Sequence, residues 1–90
     1  MNDDQELRDL LKAVQAAMDS DWHHAHLIAQ DSEHRIAHWI HAVLHKIEGD
    51  AGNSRYWYAR AGKSYEDFSD STDELNAIAV LLEEQINAGK

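Results

Sequence analysis

The chain has 90 residues, a net charge of −9 with neutral histidines, and neither cysteine nor proline. A chain of this length folds around one core and leaves no room for a second domain or a deep, enclosed substrate chamber. Disulfides, iron–sulfur clusters and thiolate zinc sites are excluded because they need cysteine, and the cation cluster that binds nucleic-acid phosphates is missing.

The same composition predicts a cytoplasmic protein. A secreted domain this small usually needs disulfides, so their absence favours a reducing compartment. Residues 1–10 carry four acidic side chains, the wrong charge for a secretory signal. The longest apolar run, residues 77–82, is far shorter than the ~20 residues of a membrane span. We therefore expect neither a membrane segment nor a membrane partner.

Apolar residues recur at three- and four-residue spacing along the whole chain, which predicts an all-α fold of five helices. The first helix is predicted from Asp3 to Met18, with Asn2 and Gln5 as a capping box at its start. Residues 19–21 break the pattern, and a second helix is predicted from Trp22 to Gln30. The apolar face of the first helix comprises Leu7, Leu10, Leu11, Val14 and Met18.

A third helix is predicted from Glu33 to Glu48, capped at its start by residues 31–32. Gly49 stands where a left-handed C-terminal cap needs glycine. A fourth helix is predicted from Asn53 to Lys63. The apolar face of the third helix comprises Ile36, Trp39, Ile40, Val43, Leu44 and Ile47.

Residues 64–70 show no clear period and are predicted to form a connector. Ser71 and Glu74 match a capping box for a last helix from Asp73 to Asn87, which Gly89 ends. Its apolar stripe is formed by Leu75, Ile78, Ala79, Leu82 and Ile86.

An offset of 29 residues aligns the first helix with the third, pairing Leu7 with Ile36 and Asp21 with Asp50. Either an internal duplication or shared helical periodicity accounts for these pairs. A duplication predicts two stacked antiparallel helical hairpins, with the fifth helix covering an exposed end.

Residues 38–62 resemble a tetratricopeptide repeat. Residues 48–50 are similar to the inter-helix turn of that family, and Ser54, Tyr58 and Ala61 are similar to its second-helix pattern. The resemblance implies a hairpin of that type and carries no partner with it. The chain departs from the family in the first helix of the unit, at His38, His41, Ala42 and His45. The region also looks like small uncharacterised bacterial helical proteins, which implies a fold and nothing more.

All seven histidines lie between His23 and His45. Those at positions 34, 38, 41 and 45 fall within about 60° of one another around the third helix, at ~100° per residue. Three hypotheses explain this stripe. The histidines pack between helices and bond to one another, to backbone carbonyls or to the neighbouring Asn53, Tyr56 and Tyr58. Alternatively they hold a metal ion, or they form a pH-responsive surface.

The metal hypothesis assigns four ligands to zinc or another divalent transition metal. His41, His45 and Glu48 lie on adjacent turns of one helix, and His26 comes from the neighbouring helix. Such a site would belong to a metal-binding protein or a small metal-dependent hydrolase. The pattern is not His-Glu-x-x-His, because Ala42 follows the first ligand and no general base stands there.

The fourth helix carries the candidate partner surface. Tyr56, Trp57 and Tyr58 span about 200° around the helix, so at least one of the three must be exposed. Exposed aromatic side chains beside Arg55 and Arg60 suit a protein or peptide partner, including a second copy of the chain. We therefore predict a non-enzymatic interaction module without catalytic residues or cofactor, with metal binding as the alternative.

Overall fold

A computed structural model describes residues 3–89 of the chain. Within this range the chain forms five α-helices, one short 3₁₀ turn and no strand, which confirms the all-α class and the number of helices. None of these helices combines the length and apolar character that a membrane span needs. The elements are α1 (Asp3–Met18), α2 (Trp22–Gln30), α3 (Arg35–Ile47), α4 (Ala51–Ala61), the 3₁₀ turn (Tyr65–Asp67) and α5 (Ser71–Ala88).

Helix α3 is the centre of the fold and contacts each of the other four helices. Its residues 36–44 are all buried, which is possible only for a helix surrounded by neighbours on all sides. Three-residue turns join α1 to α2 and α3 to α4, and each of these pairs packs together, while α5 packs on α1 and α3. The histidines of α3 therefore lie inside the molecule.

The predicted apolar faces form the core, except at two helix ends. Met18 is 39% exposed and Ile47 is 45% exposed, because each lies at the last residue of its helix beyond the reach of the packed neighbours. The side chains at the centre of the core have 0–1% of their surface exposed: Leu10, Val14, Ile40, Val43, Leu44, Ile78 and Leu82.

The starts of α3, α4 and α5 differ from the prediction, and in each case an N-cap residue sets the observed start. Helix α3 starts at Arg35 rather than at residue 33, because His34 is its N-cap and accepts a hydrogen bond at Nδ1 from the Ile36 amide at 3.0 Å. Helix α4 starts at Ala51, because Asp50 caps it. Gly62, at φ 71°, is the C-cap, so α4 ends at Ala61, two residues before the predicted end. The predicted cap at Asn2 lies outside the described residues.

The predicted capping box at the start of α5 is wrong. Asp70 is the N-cap and accepts from the Thr72 amide at 2.8 Å, so Ser71 already belongs to the helix. Glu74 is completely buried. A buried carboxylate requires partners for its oxygens, and Glu74 has three of them on α3 and α4. Its donors are Trp39 Nε1 at 2.8 Å, the Tyr58 hydroxyl at 2.7 Å and Lys46 Nζ at 3.0 Å.

Candidate metal centre

Three histidines from two helices meet between α2 and α3. One ring nitrogen from each of His26, His41 and His45 lies within 4.8 Å of those of the other two. The four-residue spacing places His41 and His45 on successive turns of α3, with ring centroids 4.9 Å apart. His26 reaches them from α2, with its ring 4.6 Å from that of His41 and 5.5 Å from that of His45.

Two tryptophans cover the histidine rings. Trp22 stacks on His26 at 4.7 Å with an interplanar angle of 10°, and Trp57 stacks on His41 at 4.0 Å with an angle of 15°. Trp22 Nε1 also donates to the Leu44 carbonyl at 2.7 Å, which fixes α2 against α3. The indoles hold the imidazoles in place and shield them from water.

His41 carries an unusual buried atom. The residue is only 5% exposed. Among the described side chains of residues 4–89, its Nδ1 is the one buried nitrogen or oxygen atom without a hydrogen-bond partner. A buried polar atom without a partner costs about 1–3 kcal/mol. Burial, and then the neighbouring rings of His26 and His45, lower the pKa of His41 to about 4. Its imidazole is therefore neutral at neutral pH and offers a lone pair.

His26, the ligand candidate on α2, has an environment similar to that of His41. Burial is the main cause that lowers the pKa of His26, and the nearby His45 lowers it further. The two remaining histidines of α2, His23 and His24, are exposed. They lie outside the group of three.

The predicted stripe of four histidines divides in the structure. His34 is the N-cap of α3 and uses its Nδ1 for that purpose. His38 is buried, with its Nε2 3.8 Å from Glu33, and its pKa is lowered by burial and by the Arg60 guanidinium. Only His41 and His45 turn toward His26.

Glu48, the fourth predicted ligand, is not in the group of three. Its Oε1 lies 2.5 Å from His45 Nδ1. Two ligands of one tetrahedral ion are about 3.3 Å apart when each is about 2.05 Å from the metal, so the contact is a hydrogen bond. His45, Glu48 and Asp50 also bring ligand atoms within 4.8 Å of one another, but the Asp50 carboxylate already accepts twice from Asn53.

The neighbouring Asn53, Tyr56 and Tyr58 were expected as partners of structural histidines, and two of them bond elsewhere. Asn53 donates to Asp50 and the Tyr58 hydroxyl donates to Glu74. Tyr56 points outward and is 56% exposed. The rings of the cluster contact one another and the tryptophans, and the ring of His45 also contacts Glu48.

The candidate partner residues of α4 divide into two groups: Tyr56, Trp57 and Arg60 lie together, and Arg55 faces the connector. Exposure of Tyr56 confirms that one of the three consecutive aromatic residues faces out, while Trp57 is half-buried. The Arg60 guanidinium lies 5.8 Å from the Tyr56 ring and 5.5 Å from the Trp57 ring. Arg55 points instead to the connector, where it pairs with Glu66 at 2.7 Å and covers the ring of Tyr65.

The sequence did not reveal that Trp22 and Trp57 stack on histidine rings. It also did not reveal that Glu48 is a hydrogen-bond partner of His45. The spacing of Trp22 and His26 by four residues was a usable signal, since such pairs meet on a helix. Nothing local links Trp57 to His41, because their contact depends on the packing of α4 against α3.

Comparison with known proteins adds no relative. The resemblance of residues 38–62 to tetratricopeptide repeats rests on its motif residues alone. No protein-family model, no curated protein and no solved structure matches this chain.

Proposed function

We propose that the protein binds a divalent transition metal, with zinc as the first candidate, through His26, His41 and His45. The observation that carries this proposal is the buried, unpartnered Nδ1 of His41 in a group of three imidazoles whose ligand atoms lie within 4.8 Å of one another. Neutral imidazole is a good ligand for zinc, nickel and copper. An ion would supply the partner that the protein does not.

The distances suit a small ion after modest adjustment. A tetrahedral ion holds its ligand atoms about 3.3 Å apart, so nitrogens within 4.8 Å need to converge by at most about 1.5 Å. We propose that small side-chain adjustments of His26 and His45 bring the nitrogens together as the ion binds. Three protein nitrogens leave a fourth coordination position for water or another ligand.

We propose a binding role rather than a catalytic one. Ala42 follows His41 where a metalloprotease motif carries its general base. The nearest described carboxylate, that of Glu48, is engaged by His45. The function is thus metal binding, with an ion that joins α2 to α3 and stabilises the folded state as its concentration exceeds the dissociation constant.

Affinity measurements on histidine variants test the proposal. Untagged protein stripped of metal is titrated with zinc against a chromophoric chelator. His26→Ala and His41→Ala should each weaken binding by at least about 100-fold, more than the loss of a hydrogen-bonding neighbour of a ligand. His24→Ala is the matched control, because it removes an exposed histidine from the same helix as His26. A zinc affinity equal to that of the wild type in both His26→Ala and His41→Ala would refute the site.

A second candidate function is a protein contact on α4, which the exposure of Tyr56 favours. We propose that Tyr56, Trp57 and Arg60 form the contact, with a second copy of the chain as the partner. Aromatic and arginine side chains dominate the binding energy of many interfaces. Sedimentation velocity should then show concentration-dependent association that Tyr56→Ala weakens at least about 10-fold and Arg55→Ala leaves unchanged. A monomer at all concentrations would exclude the homodimer.

Two finer features belong to the same proposal. The pairs α1/α2 and α3/α4, each joined by a three-residue turn, support a tetratricopeptide-like arrangement of two hairpins. The absence of cysteine supports a reducing, cytoplasmic compartment. Both are compatible with a small helical protein that binds a metal ion or a partner.

A further inference from the structure

We propose that Glu48 is a positioning residue of the metal site, which fixes the tautomer and orientation of His45 so that the Nε2 atom of His45 binds the ion. This inference rests on the proposed metal function. It changes the role of Glu48 from a ligand to the carboxylate that holds a ligand.

The first step is the chemistry of the contact. His45 Nδ1 lies 2.5 Å from Glu48 Oε1, and an ionised carboxylate only accepts hydrogen bonds. Nδ1 therefore carries the proton, and the lone pair of the neutral ring is on Nε2. A nitrogen that donates to a carboxylate cannot bind a metal, so Nε2 is the atom that His45 offers to the ion.

The second step is how the fold holds this carboxylate. Glu48 is the C-cap of α3, and its amide donates to the Leu44 carbonyl at 3.1 Å. Gly49, at φ 86°, then reverses the chain as a left-handed cap requires. The Glu48 side chain is thereby kept over the last turn of α3, three residues from His45. On another side of the same ring, Trp22 packs edge-on at 6.0 Å.

The third step is that this support is specific to one ligand. Within residues 3–89, His45 is the member of the group of three whose ring is hydrogen-bonded to a carboxylate, whereas Nδ1 of His41 has no partner. The His45 side chain is 12% exposed and that of Glu48 is 41% exposed. The carboxylate thus lies at the rim, where it can orient a shielded ring without being buried.

The fourth step is the consequence for the ion. A hydrogen bond from the distal nitrogen of an imidazole to a carboxylate raises the basicity of that ligand and fixes its direction. Loss of such a partner typically weakens metal binding by 10- to 100-fold. We expect Glu48→Ala to fall in this range and Glu48→Gln to recover part of the loss, because a glutamine oxygen still accepts from Nδ1 but carries no charge.

The experiment has two readouts. Long-range ¹⁵N correlation spectra of the metal-free protein, recorded at about pH 8, report which nitrogen of His45 is protonated. Zinc affinity is measured on the same variants. Glu33→Gln is the matched control, because Glu33 is a carboxylate 3.8 Å from a histidine outside the group of three, His38.

The expected result is Nδ1 protonation of His45 in the wild type and in Glu33→Gln, and its loss in Glu48→Ala. Zinc affinity should be 10- to 100-fold lower in Glu48→Ala and unchanged in Glu33→Gln. An unchanged tautomer together with unchanged zinc affinity in Glu48→Ala would overturn the positioning role while leaving the metal function intact. A carboxylate oxygen bound to zinc in the X-ray absorption spectrum of the wild type, and missing from that of Glu48→Ala, would also overturn it, since Glu48 would then be a ligand. A wild type that binds no zinc overturns the metal function, and the tautomer readout shows separately whether Glu48 orients His45.

Discussion

Replacing Glu74 by alanine is expected to lower the free energy of unfolding by about 3–5 kcal/mol, the range for removing one partner of a buried ion pair. Lys46, whose side chain is 10% exposed, would keep its charge without the carboxylate. The donors of Trp39 and Tyr58 would also lose their acceptor. Because small domains are stable by only about 5–15 kcal/mol, this change should remove a large share of the total stability.

Urea denaturation followed by circular dichroism measures this effect. The control is Glu83→Ala, an exposed glutamate on the same helix, which should change stability by less than about 0.5 kcal/mol. Glu74→Gln should lie between the two, because it retains an oxygen acceptor but removes the charge that faces Lys46. A loss below about 1 kcal/mol in Glu74→Ala would show that the network contributes little net stability.

His41 alone is expected to cost the metal-free protein about 3 kcal/mol of stability as the pH falls from 7 to 4. The pKa of His41 is about 4 in the folded protein against an ordinary 6.5. Between these values the unfolded chain takes up a proton that the folded protein does not, so stability present above 6.5 is lost as the pH falls toward 4. The pKa difference sets the size of the loss. His26 and His38, whose pKa values are also lowered, act in the same direction.

The variant His41→Phe isolates the contribution of His41 to the pH dependence of stability. Phenylalanine preserves an aromatic ring that can stack on Trp57, and it does not titrate. Thermal or urea unfolding at a series of pH values should show a clearly smaller loss between pH 7 and 4 in the variant than in the wild type, both measured in the presence of a chelator. Equal losses in the two proteins would mean that His41 is protonated in the folded state and is not shielded as described.

Helix positions were predictable from the sequence where the termini carry ordinary signals. The end of α1 and both bounds of α2 agree with the prediction, because apolar periodicity and the acidic break at residues 19–21 act locally. The start of α3 was not predictable in the same way. Histidine is not among the preferred N-cap residues, and only the structure shows that the ring of His34 accepts from the Ile36 amide.

Features that depend on long-range packing could not be predicted from the sequence. Ser71 and Glu74 match a capping box, yet Glu74 turns inward because its donors, Trp39 and Tyr58, are 35 and 16 residues away along the chain. A local pattern contains no information about such partners.

The candidate site shows the same division. The spacing of His41 and His45 indicated that their rings share one face of α3, and His26 was expected from the neighbouring helix. Spacing alone did not distinguish a ligand from a hydrogen-bond partner at Glu48. It also gave no indication that Trp57 covers His41, because that contact joins two helices.

The measurement that tests the metal site most directly is the amount of ion that the purified protein retains. Untagged protein is loaded with excess zinc, passed through a desalting column and analysed by elemental mass spectrometry. The account predicts about one zinc ion per chain in the wild type and in His24→Ala, and almost none in His41→Ala. A wild type that retains no zinc, or a His41→Ala variant that retains as much as the wild type, would contradict it.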